Sequence, residues 1–158
     1  MTVIKTFENE NQVKNTDFKA FLITFDKGLR SNLVHYFKHN VNIKFARYLL
    51  KKAVDERVTD TGIIYIEDLC LFSYLVAAHK QIEDVLLIWS AKDADFDTWC
   101  GFDGELLSFM GIETTINYLK NLETVESEKV LDYMKEYNQV DIDDYFSEEH
   151  YYLEDPSV

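Results

Sequence analysis

Proline and glycine are nearly absent from this chain, and their scarcity limits its fold more than any other feature of the sequence. Only Pro156 and five glycines occur among 158 residues, whereas proline usually makes up about 5% and glycine about 7% of a chain. Proline breaks helices and glycine weakens them, so long stretches without either residue favour helices over a turn-rich β fold. The composition therefore predicts an all-α protein.

Apolar residues recur at intervals of three and four along much of the chain, as they do on the buried stripe of a helix. The spacing from Phe18 to Phe25 predicts a first helix over about 16–27. Thr16 is expected to cap its first turn, and Gly28 is expected to mark a break.

Later segments follow the same pattern. A helix is predicted after Asn42, which suits an N-cap, and another over 69–78, where almost no polar face remains and burial on all sides is expected. The short link 79–81 predicts a hairpin between that helix and the next one. Residues 93–104 are predicted to be irregular because aspartates and glycines interrupt them, and Thr124 is predicted to cap the last helix.

These elements add up to one compact domain of about seven mostly short helices, arranged either as an irregular bundle or as stacked helical hairpins. The helical domain is expected over 16–138. Residues 1–15 are predicted to be an N-terminal extension, and weak alternation over 2–7 is consistent with one short edge strand. Residues 139–158 form an acidic C-terminal segment that contains aromatic residues, which predicts docking on the domain or on a partner.

Charge is distributed very unevenly along the chain. The formal net charge is −13, but residues 1–92 carry +2, whereas residues 93–158 hold 18 carboxylates against three lysines. Residues 27–57 are the basic part, with a net charge of +6. Opposite charges attract, so we expect 27–57 to contact 93–158, either within one molecule or head to tail in a homo-oligomer.

Several classes of protein are excluded by the same composition. No apolar run approaches the ~18 residues of a membrane-spanning helix, and no signal peptide is visible, so a cytoplasmic protein without a membrane partner is expected. The acidic half would repel a polyanion, which argues against a nucleic-acid partner.

No nucleophile motif, phosphate-binding loop or dinucleotide-binding motif occurs, so no catalytic residue and no cofactor is predicted. His35 and His39 share a helical face at a spacing that can bind a metal. Tyr36, however, stands where zinc proteases carry a glutamate, and nearby lysines repel a cation. A solvated basic face is the favoured interpretation of these histidines.

An aspartate-rich loop follows at 93–97. Asp93, Asp95 and Asp97 match the first, third and fifth positions of an EF-hand calcium loop. Thr98 and Gly104 occupy the positions where that loop requires glycine and glutamate. Helix capping and solvation are therefore favoured over calcium binding, and no metal site is predicted.

Acidic and aromatic residues alternate in two places, 93–105 and 141–155. Aromatic anchors surrounded by carboxylates suit a basic protein partner, although packing in the core is an equally good explanation for Trp99 and Phe102. The predicted partner-binding residues are Asp93, Asp95, Phe96, Asp97, Trp99, Asp103, Glu105, Asp141, Asp143, Asp144, Glu148 and Glu149.

Three functions remain open. The favoured one is a non-catalytic protein that binds a basic protein partner. In its small size, acidity and helical character the chain resembles the immunity proteins that bacteria pair with toxins, and this resemblance implies an inhibitor steered towards the basic cleft of a toxin. The second is a nucleic-acid mimic whose carboxylates replace phosphates against a DNA-binding protein. The third is an enzyme with an unrecognised carboxylate site.

Overall fold

The computed structural model describes residues 2–22, 27–59 and 63–142, and all regular secondary structure in these ranges is helical. Two 3₁₀ helices, Ile82–Asp84 and Gly104–Ser108, and a helical turn at 139–142 accompany the α-helices. No strand occurs in these ranges, so the predicted all-α fold is confirmed. The α-helices are α1 (Thr2–Glu10), α2 (Asn15–Lys19), α3 (Lys27–His39), α4 (Ile43–Thr59), α5 (Ile66–Ala77), α6 (Val85–Lys92), α7 (Phe96–Gly101), α8 (Ile112–Leu122) and α9 (Val125–Met134).

The N-terminal residues contradict one prediction. Residues 2–10 form α1 instead of an edge strand, and they belong to the core instead of an extension. Ile4 and Phe7, three residues apart, are both buried. The Phe7 ring lies 4.9 Å from that of Phe45 and 5.0 Å from that of Tyr48. Burial of this helical stripe outweighs the weak alternation that suggested a strand.

The predicted first helix is also wrong in its bounds. Helix α2 follows Lys14 as its N-cap and ends at Lys19, and Thr16 lies inside it. Gly28 is the second residue of α3 and does not mark a break. The spacing of the apolar residues still reports burial correctly, because Phe18 and its neighbours at 21 and 22 are fully buried. Residues 23–26 lie outside the described residues, as do 60–62.

Three other helix predictions are confirmed. Asn42 caps α4, since its Oδ1 accepts a hydrogen bond from the backbone N–H of Phe45 at 3.1 Å. Residues 68–77 of α5 are all buried, and a short link at 78–81 leads to the next helical turn. Thr124 caps α9 by accepting from the N–H of Ser127 at 3.1 Å.

The region 93–104 is more regular than expected, because it contains α7. Asp95 Oδ1 accepts a hydrogen bond from the N–H of Thr98, and Thr98 Oγ1 accepts from the N–H of Asp95, each at 2.9 Å. This reciprocal capping box satisfies two backbone donors and starts a helix in a segment whose aspartates suggested a loop.

The central helices pack in a constant register. Helix α4 packs along α5 and also contacts α6. Four polar contacts join residues that are 37 or 38 positions apart, so 30–57 lies beside 68–95 in the same order along the chain. This register is the one expected when the pair α3–α4 stacks on the pair α5–α6, and it favours stacked helical hairpins over an irregular bundle. The contacts are Arg30–Asp68, Asn42–His79, Arg47–Asp84 and Arg57–Asp95.

Helices α8 and α9 form a second kind of hairpin. Glu123, in the left-handed conformation, and Thr124 are the only residues between them. The N–H of Ile112, at the start of α8, donates to Gln139 Oε1, beyond the end of α9, at 2.9 Å, so the two helices are antiparallel. Helix α9 also contacts α6, which brings its outer face beside α7. None of the described helices is both long and apolar enough to span a membrane.

Candidate functional site

An open groove of about 630 Å³ lies where the C-terminal part of α6, helix α7 and helix α9 meet. Its lining residues are all aromatic or charged, and they include both tryptophans of the chain. A volume of this size falls within the usual range for ligand sites. The lining residues are Trp89, Asp93, Trp99, Lys129, Asp132, Tyr133 and Glu136.

Helix α9 supplies one side of the groove. Lys129, Asp132, Tyr133 and Glu136 follow each other at spacings of three, one and three residues, and so share one face of the helix and the turn after it. Val130 and Met134, on the opposite face, are buried in the core or against it. Burial of that stripe fixes which face of α9 borders the groove.

Three aromatic rings form the walls. The ring centroids of Trp89 and Trp99 are 5.7 Å apart with an interplanar angle of 82°, and those of Trp99 and Tyr133 are 5.6 Å apart at 66°. Trp89 and Tyr133 complete the triangle at 5.7 Å. Near edge-to-face contacts of this kind add to the stability gained from burying the rings.

The two tryptophans differ in exposure. Trp99 keeps 43% of its surface exposed, whereas Trp89 keeps 3%. The Trp89 Nε1–H is buried and has no hydrogen-bond acceptor among the described residues. A buried donor without an acceptor is costly, so Trp89 contributes its ring to the groove while its N–H is an unsatisfied polar group beneath the surface.

A lysine lies behind the aromatic walls. Lys92 is only 2% exposed, and its Nζ donates to the carbonyl oxygens of Trp99 at 2.7 Å and Phe102 at 3.2 Å. The same Nζ lies 5.6 Å from the ring centroid of Trp99 and 4.7 Å from that of Tyr133. Lys92 thus satisfies carbonyls at the end of α7 and makes cation–π contacts with two of the three walls.

The charged groups around the groove are predominantly acidic. The lining includes three carboxylates, those of Asp93, Asp132 and Glu136, and one lysine, Lys129. The Lys129 Nζ lies 3.8 Å from Asp93 Oδ2, and the Lys135 Nζ lies 2.7 Å from Asp132 Oδ1. These side chains are between 42% and 76% exposed, so both ion pairs are weak and water can replace them.

Two tyrosines, one on α9 and one just beyond its end, support the groove. The hydroxyls of Tyr133 and Tyr137 are hydrogen-bonded to each other, and both lie against Gly104, where a Cβ atom would collide with them. Burial, followed by the hydrogen bond with Tyr133 and the negative charges of Glu105 and Glu136, raises the pKa of Tyr137 far above its ordinary value. Tyr137 therefore stays neutral, and the pair keeps its hydrogen bond at any physiological pH.

Asp95 holds the start of α7 to the body of the protein. Its Oδ2 accepts from Arg57 Nε at 2.5 Å, and Arg57 Nη1 also donates to the carbonyl oxygen of Ile64 at 2.6 Å. The hydrogen bond from Arg57, together with that from the N–H of Thr98, lowers the pKa of Asp95 despite partial burial. Asp95 is thus committed to contacts within the chain, and Arg57 joins the basic segment 27–57 to the acidic half inside one molecule.

The structure brings some of the predicted partner-binding residues together. Asp93 and Trp99 line the groove. Phe96 and Asp97 lie on the same helix, α7. Phe96 exposes 78% of its surface, and the side chain of Asp97 exposes 76%. Phe102, by contrast, is buried, so the core explanation is correct for that residue.

The remaining predicted residues lie elsewhere. Asp103 and Glu105 are half-buried at the 3₁₀ helix, and Asp141 is exposed on the turn at 139–142. Asp143, Asp144, Glu148 and Glu149 lie outside the described residues.

Five groove residues were missed by the sequence reasoning: Trp89, Lys129, Asp132, Tyr133 and Glu136. Trp89 follows Val85 and Leu86 at helical spacing, a pattern that predicts only burial. The other four share one face of α9 and the turn after it, and their spacing was the available signal. What the sequence did not contain was the packing of α9 against α6 and α7, which brings distant segments into one site.

Among the described residues, no group of three or more histidine, cysteine, aspartate or glutamate side chains could hold a metal ion. In the loop that resembles part of an EF-hand, Asp95 is hydrogen-bonded to Arg57, Asp97 lies 3.8 Å from Arg57 Nη2, and Asp93 faces Lys129. Cationic side chains of the protein thus face all three carboxylates. The rings of His35 and His39 pack edge to face at 4.7 Å.

Comparison of the chain with models of protein families, with curated proteins and with solved structures found no match. A helical architecture does not imply an activity, so the groove is the feature that bears on function. The groove offers aromatic surface and an excess of carboxylates.

Proposed function

We propose that this chain is a non-catalytic binding protein that presents an acidic and aromatic face to a basic protein, in the manner of an immunity protein that neutralises a toxin. The groove formed by Trp89, Trp99 and Tyr133 under the carboxylates of Asp132 and Glu136 is the observation that carries this proposal. Binding energy at protein interfaces concentrates in aromatic anchors, and flanking charges select the partner.

The face extends beyond the groove onto α7. Phe96 exposes 78% of its surface, next in sequence to the exposed carboxylate of Asp97. A largely exposed phenylalanine gains free energy when a partner removes it from water, about 25 cal/mol for each Å² buried. Phe96 and Trp99 thus supply two anchors on one helix.

Charge supports a basic partner. Residues 93–158 carry a net charge of −15, and three of the carboxylates lie around the groove. A concentrated negative field accelerates encounter with a positively charged protein by roughly 10- to 1,000-fold, and the acceleration falls steeply with added salt. Toxins that cleave nucleic acids carry basic clefts for their substrate, which is the chemistry such an inhibitor would exploit.

The test uses the full chain, immobilised, to capture a basic protein from the host lysate, followed by association kinetics with the purified partner. The diagnostic variant carries Asp132→Lys and Glu136→Lys. Its matched control carries Glu8→Lys and Glu10→Lys, which makes the same change in net charge at exposed positions of α1. The proposal predicts association at least about tenfold slower for the groove variant than for the control at low salt, with the difference shrinking as salt is added.

Other results would overturn the proposal. Equal association rates for the two variants would mean that net charge, and not the groove face, governs capture. A captured partner that releases the chain when DNA is added, with no effect of the groove substitutions, would instead favour a nucleic-acid mimic. Chemical turnover of a captured small molecule would favour an enzyme.

A further inference from the structure

We propose that the groove receives an arginine side chain of the basic partner, with the guanidinium against Trp99 and Tyr133 and its N–H groups directed to the carboxylates of Asp132 and Glu136. This inference rests on the proposed function and adds the chemical group that the site recognises. A volume of about 630 Å³ exceeds one side chain, so flanking backbone of the partner enters as well.

The protein itself shows that these rings accept a cation. The ammonium group of Lys92 lies against Trp99 and Tyr133, at 5.6 and 4.7 Å from their centroids, while Lys92 does not line the groove. The electron-rich faces of tryptophan and tyrosine attract cations, and the attraction strengthens where water is excluded. The groove offers further surface of the same two rings from the outside.

The carboxylates remain accessible to an incoming cation. The ion pair of Asp132 with Lys135 is 73–76% exposed, and that of Asp93 with Lys129 spans 3.8 Å. Exposed pairs of this kind contribute little, so a better-placed guanidinium can displace either lysine. Glu136 has no ion pair with any described residue. With one lysine against three carboxylates, the lining carries a net charge of −2.

Arginine fits this arrangement better than lysine. The guanidinium is planar, stacks on aromatic rings and directs five N–H donors in a fork, so it can contact a ring and two carboxylates together. The chain's own segment 139–158 is not the occupant that charge favours, because it holds seven carboxylates and neither lysine nor arginine.

Both tryptophans of the chain line the groove, so their indole signals report on this site alone. The experiment titrates the full, isotope-labelled chain with three peptides that differ at one residue, acetyl-Gly-Gly-Xaa-Gly-Gly-amide, where Xaa is arginine, lysine or citrulline. Citrulline has the shape of arginine without its charge. We expect saturable movement of both indole N–H signals with the arginine peptide, at a dissociation constant of roughly millimolar order, as suits a short unanchored ligand. The citrulline peptide should bind at least about tenfold more weakly.

Two variants locate the binding. Asp132→Asn with Glu136→Gln should weaken the arginine peptide at least about fivefold, because both carboxylates are lost while the aromatic walls remain. Glu126→Gln with Glu128→Gln, exposed on the same helix but outside the lining, should leave it unchanged. These variants alter exposed side chains, so folding is preserved and a loss of binding can be attributed to the groove.

The outcomes separate this inference from the proposed function. The inference would be overturned if the indole N–H signals do not shift at high concentrations of the arginine peptide. Equal affinity for the arginine, lysine and citrulline peptides would also overturn it. The proposed function would still hold in that case if the Asp132→Lys, Glu136→Lys variant associates with the partner as slowly as predicted above. If the arginine peptide binds the groove but the charge reversals leave the association rate constant of the partner unchanged, the proposed function is wrong. The groove would then still be a site that binds an arginine side chain.

Discussion

Replacing Asp95 with alanine removes two interactions at the start of α7. The first is the N-cap, in which Asp95 Oδ1 accepts from the N–H of Thr98 at 2.9 Å. Losing such a cap costs about 1 kcal/mol. The second is the ion pair with Arg57 at 2.5 Å. Breaking a fully buried pair costs about 3–5 kcal/mol.

The second cost is smaller here for two structural reasons. The Asp95 side chain is 24% exposed, and Arg57 keeps its hydrogen bond to the carbonyl of Ile64 and its contact with Asp97. We therefore assign about 2 kcal/mol to the ion pair, below the range for fully buried pairs. With the cap, Asp95→Ala lowers the free energy of unfolding by about 3 kcal/mol. For a chain of this length that lowers Tm by about 6–12 °C.

Thermal and urea unfolding followed by circular dichroism measure this effect. Asp95→Asn keeps a capping oxygen and should cost about half as much. Asp97→Asn, exposed and 3.8 Å from Arg57, should change stability by less than about 0.5 kcal/mol. An Asp95→Ala variant as stable as Asp97→Asn would show that neither the cap nor the ion pair of Asp95 stabilises the fold.

The lowered pKa of Asp95 adds a pH dependence to the same experiment. A carboxylate that titrates lower in the folded state than in the unfolded chain stabilises the fold above its unfolded value, near 4. That stabilisation disappears as pH falls through the lower folded pKa. The difference in stability between the wild type and Asp95→Asn should thus be constant at neutral pH and shrink below about pH 4. A difference that grows on acidification would contradict the assignment.

Three further predictions concern the groove and its support. Gly104→Ala should destabilise the fold by about 1–3 kcal/mol because the added methyl group meets two tyrosine hydroxyls. The added methyl group of Gly101→Ala meets only the end of an isoleucine side chain, so this variant should cost little. Urea unfolding curves of the two variants measure the difference. Lys92→Met should lower the free energy of unfolding by about 1–3 kcal/mol because it leaves the carbonyls of Trp99 and Phe102 without a donor. Lys120→Met, on the exposed face of α8, should leave Tm unchanged in thermal unfolding. Phe96→Ser should leave Tm unchanged but weaken capture of the basic partner about tenfold in surface-binding kinetics; unaltered affinity would remove Phe96 from the interface.

Periodicity predicted the parts of the fold in which one segment decides its own structure. Asn42 and Thr124 were recognised as caps because the chemistry that starts a helix is local. The all-round burial of α5 followed from a run with almost no polar side chain. The prediction for residues 2–7 was wrong because a short segment with mixed alternation fits the period of a strand and that of a helix. The contacts of Phe7 with Phe45 and Tyr48 favour the helix.

The candidate site was only partly predictable, for a different reason. The acidic and aromatic composition around 93–99 drew attention to Asp93 and Trp99, which line the groove. Which carboxylates remain available is a tertiary fact, because Asp95 pairs with Arg57 from a helix 38 positions earlier. Each of the three arginines has an aspartate 37 or 38 positions later, and this recurring offset was a signal that no search for repeated sequence motifs would detect.

We propose that the position of the groove face, and not net charge, determines where a basic protein binds this chain. Association rate constants of the purified partner with the Asp132→Lys, Glu136→Lys variant and with the Glu8→Lys, Glu10→Lys control distinguish the two. We expect the groove variant to associate at least about tenfold more slowly at low salt, and the two rate constants to converge at high salt. Two variants with the same rate constant at low salt would contradict it.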